Sequence, residues 1–156
     1  MFRARFGMDD EDSYIEKVFL FNNHMKISAS VSSRYNEHVT TVQTNDASQE
    51  VKIAPKSSGY GSSVNGGELL LLALATCFCN DIYREAKKRN ISVTEVDVVV
   101  TGEFGGEGEP GFNFQYETNV VSDAPPEVIE ELIEYTDEVA EIHNTLRKGI
   151  DIRLVR

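Results

Sequence analysis

Cysteine is scarce in this chain: Cys77 and Cys79 are the whole supply in 156 residues. On a helix, side chains two positions apart point roughly 200° from one another, so the pair makes no ready disulfide. No other thiol exists to form an internal staple, a usage that fits a reducing compartment. Positive charge is also short, with 15 Lys and Arg against 26 Asp and Glu and a formal charge of −11. That balance repels phosphate backbones and anionic lipid, which argues against nucleic-acid and membrane-surface partners. Metal-ligand spacing is missing from the three histidines and the cysteine pair, so neither a metal nor another cofactor is expected. The longest apolar run, 69–75, falls far short of a membrane span. Residues 1–8 are basic but too short and too broken for a signal peptide. The expected location is cytoplasmic. The glycines at 105–111 have no helix after them, which excludes a phosphate-cradling loop.

What is present reads as one domain with enough chain to bury a core. Residues 1–24 read as an N-terminal extension with a possible first strand at 17–21 and a turn at Asn22-Asn23. Strand periodicity follows at 26–31, a turn at 32–37, another strand at 38–43 and a brief alternation at 50–53. The Ser- and Gly-rich stretch 56–67 is a loop. A long helix is expected from about Gly67 to Arg89, with Asn90 closing it and Lys87, Lys88 and Arg89 on its negative end. Strands at 93–103 and 112–121 flank the glycine hairpin. A second helix opens near Pro125-Pro126 and runs to about Ile142, its glutamates on the outer face. Residues 150–155 alternate as a last strand. Hairpins with segregated helices argue an α+β fold, with antiparallel sheets around a buried central helix. A helix as apolar as 69–79 needs cover on nearly every side, and a second copy of the chain supplies it economically, so a homodimer is expected.

Within that helix Cys77 is either a small core residue or a nucleophile held in a dry pocket. Cys79 reads as packing. Glu68 suits the positive end of the helix dipole. His143, near the end of the second helix, is a helix-end cap or an imidazole partner for a thiol.

Three stretches resemble the OsmC/Ohr-like family of small, intertwined dimeric proteins, several of which are thiol peroxidases. Glu68-Leu69-Leu70-Leu71-Leu72-Ala73-Leu74-Ala75-Thr76-Cys77 looks like the family's Glu-Leu-Leu-x-x-Ala-x-x-x-Cys at the start of its central helix. Ala86-Lys87-Lys88-Arg89-Asn90-Ile91-Ser92-Val93 resembles the basic helix end that leads into a Val-rich strand. Asn144-Thr145-Leu146-Arg147-Lys148-Gly149-Ile150-Asp151-Ile152 resembles the turn and last strand after the family's second-cysteine helix. The resemblance covers roughly 25–156 as an OsmC-like domain. It implies that Cys77 attacks a peroxide, that Arg34 is the arginine that activates it, and that Glu68 is the acid partnering the arginine.

Two departures qualify that implication. Where the family carries a resolving cysteine in Cys-Pro-x-Ser, this chain has Ala140, Glu141, Ile142 and His143. The family's acid directly follows a proline, whereas here Glu68 comes one residue after that step, behind Gly66-Gly67. The resemblance therefore implies a one-cysteine reduction of hydroperoxides or related electrophiles, with an external thiol as reductant. The alternative is a protein that has lost this activity and holds a small apolar ligand in a dimer-interface pocket.

Overall fold

In the computed structural model, which describes residues 25–156, the chain forms two compact units that divide between Ser63 and Val64. The extension 1–24, with the strand expected at 17–21, lies outside the described residues.

The first unit is an antiparallel meander of β1 (Ile27–Arg34), β2 (Glu37–Thr44) and β3 (Ala47–Glu50) in the order β1-β2-β3. Both of its turns are two residues long, Tyr35-Asn36 and Asn45-Asp46, fixed by the pairs Arg34↔Glu37 and Thr44↔Ala47. Each turn places an asparagine in the left-handed region, Asn36 at φ 56° and Asn45 at φ 51°, which Asn tolerates better than other non-glycine residues. The expected turn at 32–37 is thus tighter than the sequence suggested, and Arg34 ends a strand. The third strand, 47–50, meets the expected 50–53 only at Glu50, because the Asn45-Asp46 turn sends the chain back earlier than the alternation indicated.

The second unit is built on α1 (Gly66–Lys88), the hairpin of β4 (Val93–Phe104) and β5 (Gly111–Ser122), α2 (Pro126–Val139) and α3 (Glu141–Lys148). A capping box starts α1: Glu68 N–H donates to Asn65 Oδ1 at 2.9 Å, and Asn65 N–H donates to Glu68 Oε2 at 2.7 Å. Its far end closes in a Schellman motif. Asn90 takes φ 57°, Ile91 N–H donates to the Ala86 carbonyl at 2.9 Å and Asn90 N–H to that of Lys87 at 3.2 Å. The Arg89 guanidinium then lies 4.4 Å from the Tyr135 ring centroid on α2.

Phe78, Ile82 and Ala86 recur every fourth residue along α1 and form the core with Leu132 and Ala140. Val93, Val96, Val98, Tyr116 and Val120 of the hairpin pack against them. Val93 and Val96 share a face despite their odd spacing because a bulge between Val93 and Glu95 shifts the alternation by one. α1 is long and apolar enough to cross a membrane by length and composition. Here its Phe78-Ile82-Ala86 row is the core of a helix-on-hairpin layer.

The C-terminal third corrects the sequence reading. The helix expected to reach Ile142 stops at Val139, Ala140 turns extended at φ −67°, ψ 109°, and a separate helix occupies 141–148. Nothing in 141–148 breaks a helix until Gly149, which ends α3 at φ 68°. The strand expected at 150–155 has no ladder among the described residues, since strand periodicity alone supplies no partner for the backbone groups.

Candidate functional site

Cys77 projects from the middle of α1, half-buried, beside the break between α2 and α3. The backbone N–H of Ile142, in the first turn of α3, bonds toward its sulfur and favours the thiolate. Opposing it, Cys77 Sγ–H donates to Asp81 Oδ2 at 3.4 Å, one turn along α1. Burial is the largest influence on this thiol and pushes its pKa up, and the Asp81 and Glu141 charges push the same way. In this arrangement the thiol proton is directed at the Asp81 carboxyl.

Asp81 is itself buried, 3% exposed. Burial raises its carboxyl pKa above the ordinary value, with the Glu141 charge adding to the rise and the Cys77 hydrogen bond and Arg84 opposing it. Arg84 binds the surrounding carboxylates into one network. Its Nη1 lies 2.7 Å from Asp81 Oδ1 and 3.1 Å from Glu141 Oε1, while Nε donates to Glu85 Oε1 at 2.8 Å. Glu85 is buried as well and also accepts from Lys88 Nζ at 2.8 Å, and these two cations hold its carboxyl below the usual range. Sγ and the nearest oxygens of Asp81 and Glu141 lie within 4.8 Å of one another. The cation the two carboxylates share is the guanidinium of Arg84.

His143, from α3, is buried against the rings of Phe78 and Tyr116, with centroids 5.5 and 4.7 Å away. Neither ring nitrogen has a hydrogen-bond partner among the described residues. Burial, with the Arg147 charge, lowers its pKa and keeps it neutral near pH 7. Next to it, the Tyr116 hydroxyl donates to Asp137, which Arg147 also grips. Burial and the Asp137 charge push the tyrosine pKa up to about 12. A cavity of about 260 Å³ opens on this side, lined by Leu74, Val100, Phe114, Tyr116, His143 and Leu146 among others.

Of the residues singled out in the sequence, Cys77 is met by the segment 140–143 that stands where the resembled family carries its second cysteine. Glu68 is engaged in the capping box of its own helix. His143 contacts aromatic rings. Arg34 belongs to the first unit, where it is exposed and lies 3.9 Å from Glu37 Oε2. Sequence reasoning passed over Asp81, Arg84 and Glu141. The first two were accessible to it, since Cys77, Asp81 and Arg84 fall at i, i+4 and i+7 on one helix stripe. Glu141 arrives through the tertiary fold and carries no local signal.

The family model for OsmC-like protein matches residues 59–155. No curated protein matches the sequence. Solved structures share the fold at low identity. An OsmC-like protein from Mycoplasma pneumoniae is 19% identical with a TM-score of 0.57, the match covering 81% of this chain and 89% of that one. An organic hydroperoxide resistance protein from Elizabethkingia anophelis, with thiocyanate bound, is 20% identical with a TM-score of 0.52, over 80% and 89% of the two chains. A Vibrio cholerae protein assigned to organic hydroperoxide resistance, with captopril in one of its active sites, is 24% identical with a TM-score of 0.53, over 84% and 90%. At these identities the likeness is one of fold.

Proposed function

The chain belongs to the OsmC-like family, and from that premise we propose that it reduces organic hydroperoxides or related electrophiles through Cys77. The observation carrying this reading is the setting of the sulfur: a half-buried thiol with a helix N–H on one side and a buried carboxylate accepting its proton on the other. In this proposal the Cys77 sulfur attacks the distal oxygen of a peroxide, is oxidised to a sulfenic acid, and releases an alcohol. Cys79 sits two residues on along the same helix, and no other cysteine exists to condense with the sulfenic acid. The cycle therefore closes through a low-molecular-weight or protein thiol from outside. Arg34 is the arginine we propose as the cation that favours the thiolate.

The same reading includes a homodimer in the reducing cytoplasm. Leu72 on α1 is 59% exposed, and Ile152 and Leu154 are 85% and 81% exposed. Apolar surface of this kind calls for a partner, and a second copy is the one proposed. The test of the chemistry is to treat reduced protein with cumene hydroperoxide, trap sulfenic acid with dimedone and locate the adduct by mass spectrometry. The expected adduct is on Cys77; its absence, under conditions that modify an active family peroxidase, removes the reading.

A second reading is favoured by the cavity beside His143. Its apolar wall and a neutral imidazole without hydrogen-bond partners among the described residues suit a small, mostly apolar ligand with one hydrogen-bonding group. Ligand mass retained in native mass spectrometry, together with an inert Cys77, selects this alternative over the enzyme.

A further inference from the structure

The two oxygens of Asp81 have separate partners: Oδ1 is held by Arg84 Nη1 at 2.7 Å, and Oδ2 accepts the Cys77 proton at 3.4 Å. The geometry points to Asp81 as a proton relay, which takes the Cys77 proton during attack on the peroxide and hands it to the departing alkoxide. This deepens the hydroperoxide reading above and rests on it.

The step balances with residues on the page. The Cys77 sulfur uses its electron pair to form a bond to the distal oxygen of ROOH while the O–O bond breaks. The sulfur is oxidised from thiol to sulfenic acid, and the distal oxygen keeps its own hydrogen as S–OH. The proximal oxygen leaves with the bonding pair as RO⁻, and the thiol proton travels through Asp81 Oδ2 to make ROH. Alkoxides are poor leaving groups, so a positioned acid at this point speeds the step. A carboxyl suits the task because burial lifts its proton affinity. Arg84 fixes the other oxygen, so the carboxylate keeps its orientation as the proton moves. The charged groups around the pair are Arg84, Glu85 and Lys88 on α1 and Glu141 on α3, with the Ile142 N–H at the sulfur.

The relay predicts opposite responses to two oxidants. Peracetic acid expels acetate, which needs no proton, whereas cumene hydroperoxide expels an alkoxide. In a Cys79→Ser background, Asp81→Asn removes a negative charge beside the thiol and leaves more thiolate at pH 7. Its reaction with peracetic acid should hold or quicken, and so should alkylation by monobromobimane. Sulfenic acid formation from cumene hydroperoxide should fall by about tenfold or more, with partial recovery in Asp81→Glu. A uniform loss in both arms, or a gain in both, overturns the relay and leaves Asp81 as packing or as a brake on the thiol. If Asp81→Asn does not fold, solvent deuterium on the Cys79→Ser protein decides: slowing in the hydroperoxide arm only supports the relay, and equal slowing in both overturns it. A protein whose Cys77 reacts with neither oxidant before any substitution at Asp81 defeats the hydroperoxide reading itself, an outcome distinct from failure of the relay.

Discussion

At Cys77 one backbone N–H works against burial and two carboxylates. With those influences the thiol should ionise later than in the unfolded chain. Alkylation of Cys79→Ser protein across pH should give a midpoint above that of the same protein in urea. Arg34→Ala should raise that midpoint further, because the cation proposed above is lost; an unchanged midpoint would remove Arg34 from the site. His143 gives a second prediction. Its folded pKa lies below the ordinary 6.5, so the neutral ring is the form that the fold prefers. Its contribution is then complete above pH 6.5 and is lost as pH falls through the lower folded value. Urea midpoints at pH 7.5 and 5.5 should differ in the direction of acid lability, and His143→Phe should shrink that difference, because Phe does not titrate and the ring nitrogens make no hydrogen bond among the described residues. An unchanged difference would assign the acid lability to another group. Cys77 was legible in the sequence because an apolar helix delivered a thiol; the network that sets its protonation was less so. Asp81 and Arg84 share its helix stripe, but the sequence does not show that stripe buried, since burial of charged residues depends on what packs over them.

The start of α1 is a local structure, and its energetics should behave locally. Asn65→Ala removes the acceptor for the Glu68 N–H and should cost about 1 kcal/mol in urea unfolding. Glu68→Gln preserves the box, since Gln serves at the same position, and should unfold close to the parent. A large fall in hydroperoxide turnover in Glu68→Gln, with stability intact, would show a role for this acid beyond the cap. Across elements, Leu132 on α2 is wholly buried against the α1 core, and Leu132→Ala should cost about 2–5 kcal/mol. The helices and the hairpin were legible because each is written locally: glycines before α1, Asn90 after it, prolines at α2 and a glycine-rich turn between β4 and β5. The break at Ala140 was not. Alanine is the best of helix formers, and here it leaves the helix to enter the core while Asn144 Nδ2 caps the Glu138 carbonyl at 2.8 Å. Residues 150–155 show the converse, a pattern fit for a strand in a stretch that joins no ladder among the described residues.

At the scale of the whole molecule, the proposed second copy must answer both that unpaired stretch and the charge. Ile150, Ile152 and Leu154 fall on one face of an extended segment if it pairs, and every one of them is exposed in the single chain. Pairing by strand addition would satisfy backbone groups and bury that row together. Each chain carries −11, so association brings like charges together and repulsion opposes the apolar gain. Salt therefore distinguishes the forces. Raising ionic strength from about 0.01 M to 0.15 M shortens the screening length from about 30 Å to 8 Å, and the dimer dissociation constant should fall over that range. Ile152→Glu or Leu154→Glu should raise it at every salt concentration by adding charge where apolar surface is to be buried. Light scattering behind gel filtration, run as a dilution series at the two ionic strengths, measures both effects. A monomer at all concentrations would remove the homodimer, and the exposed row at 150–154 would then need a different partner. A dimer indifferent to both substitutions would keep the assembly but move its interface away from the C-terminal stretch, toward the apolar side of α1 around Leu72.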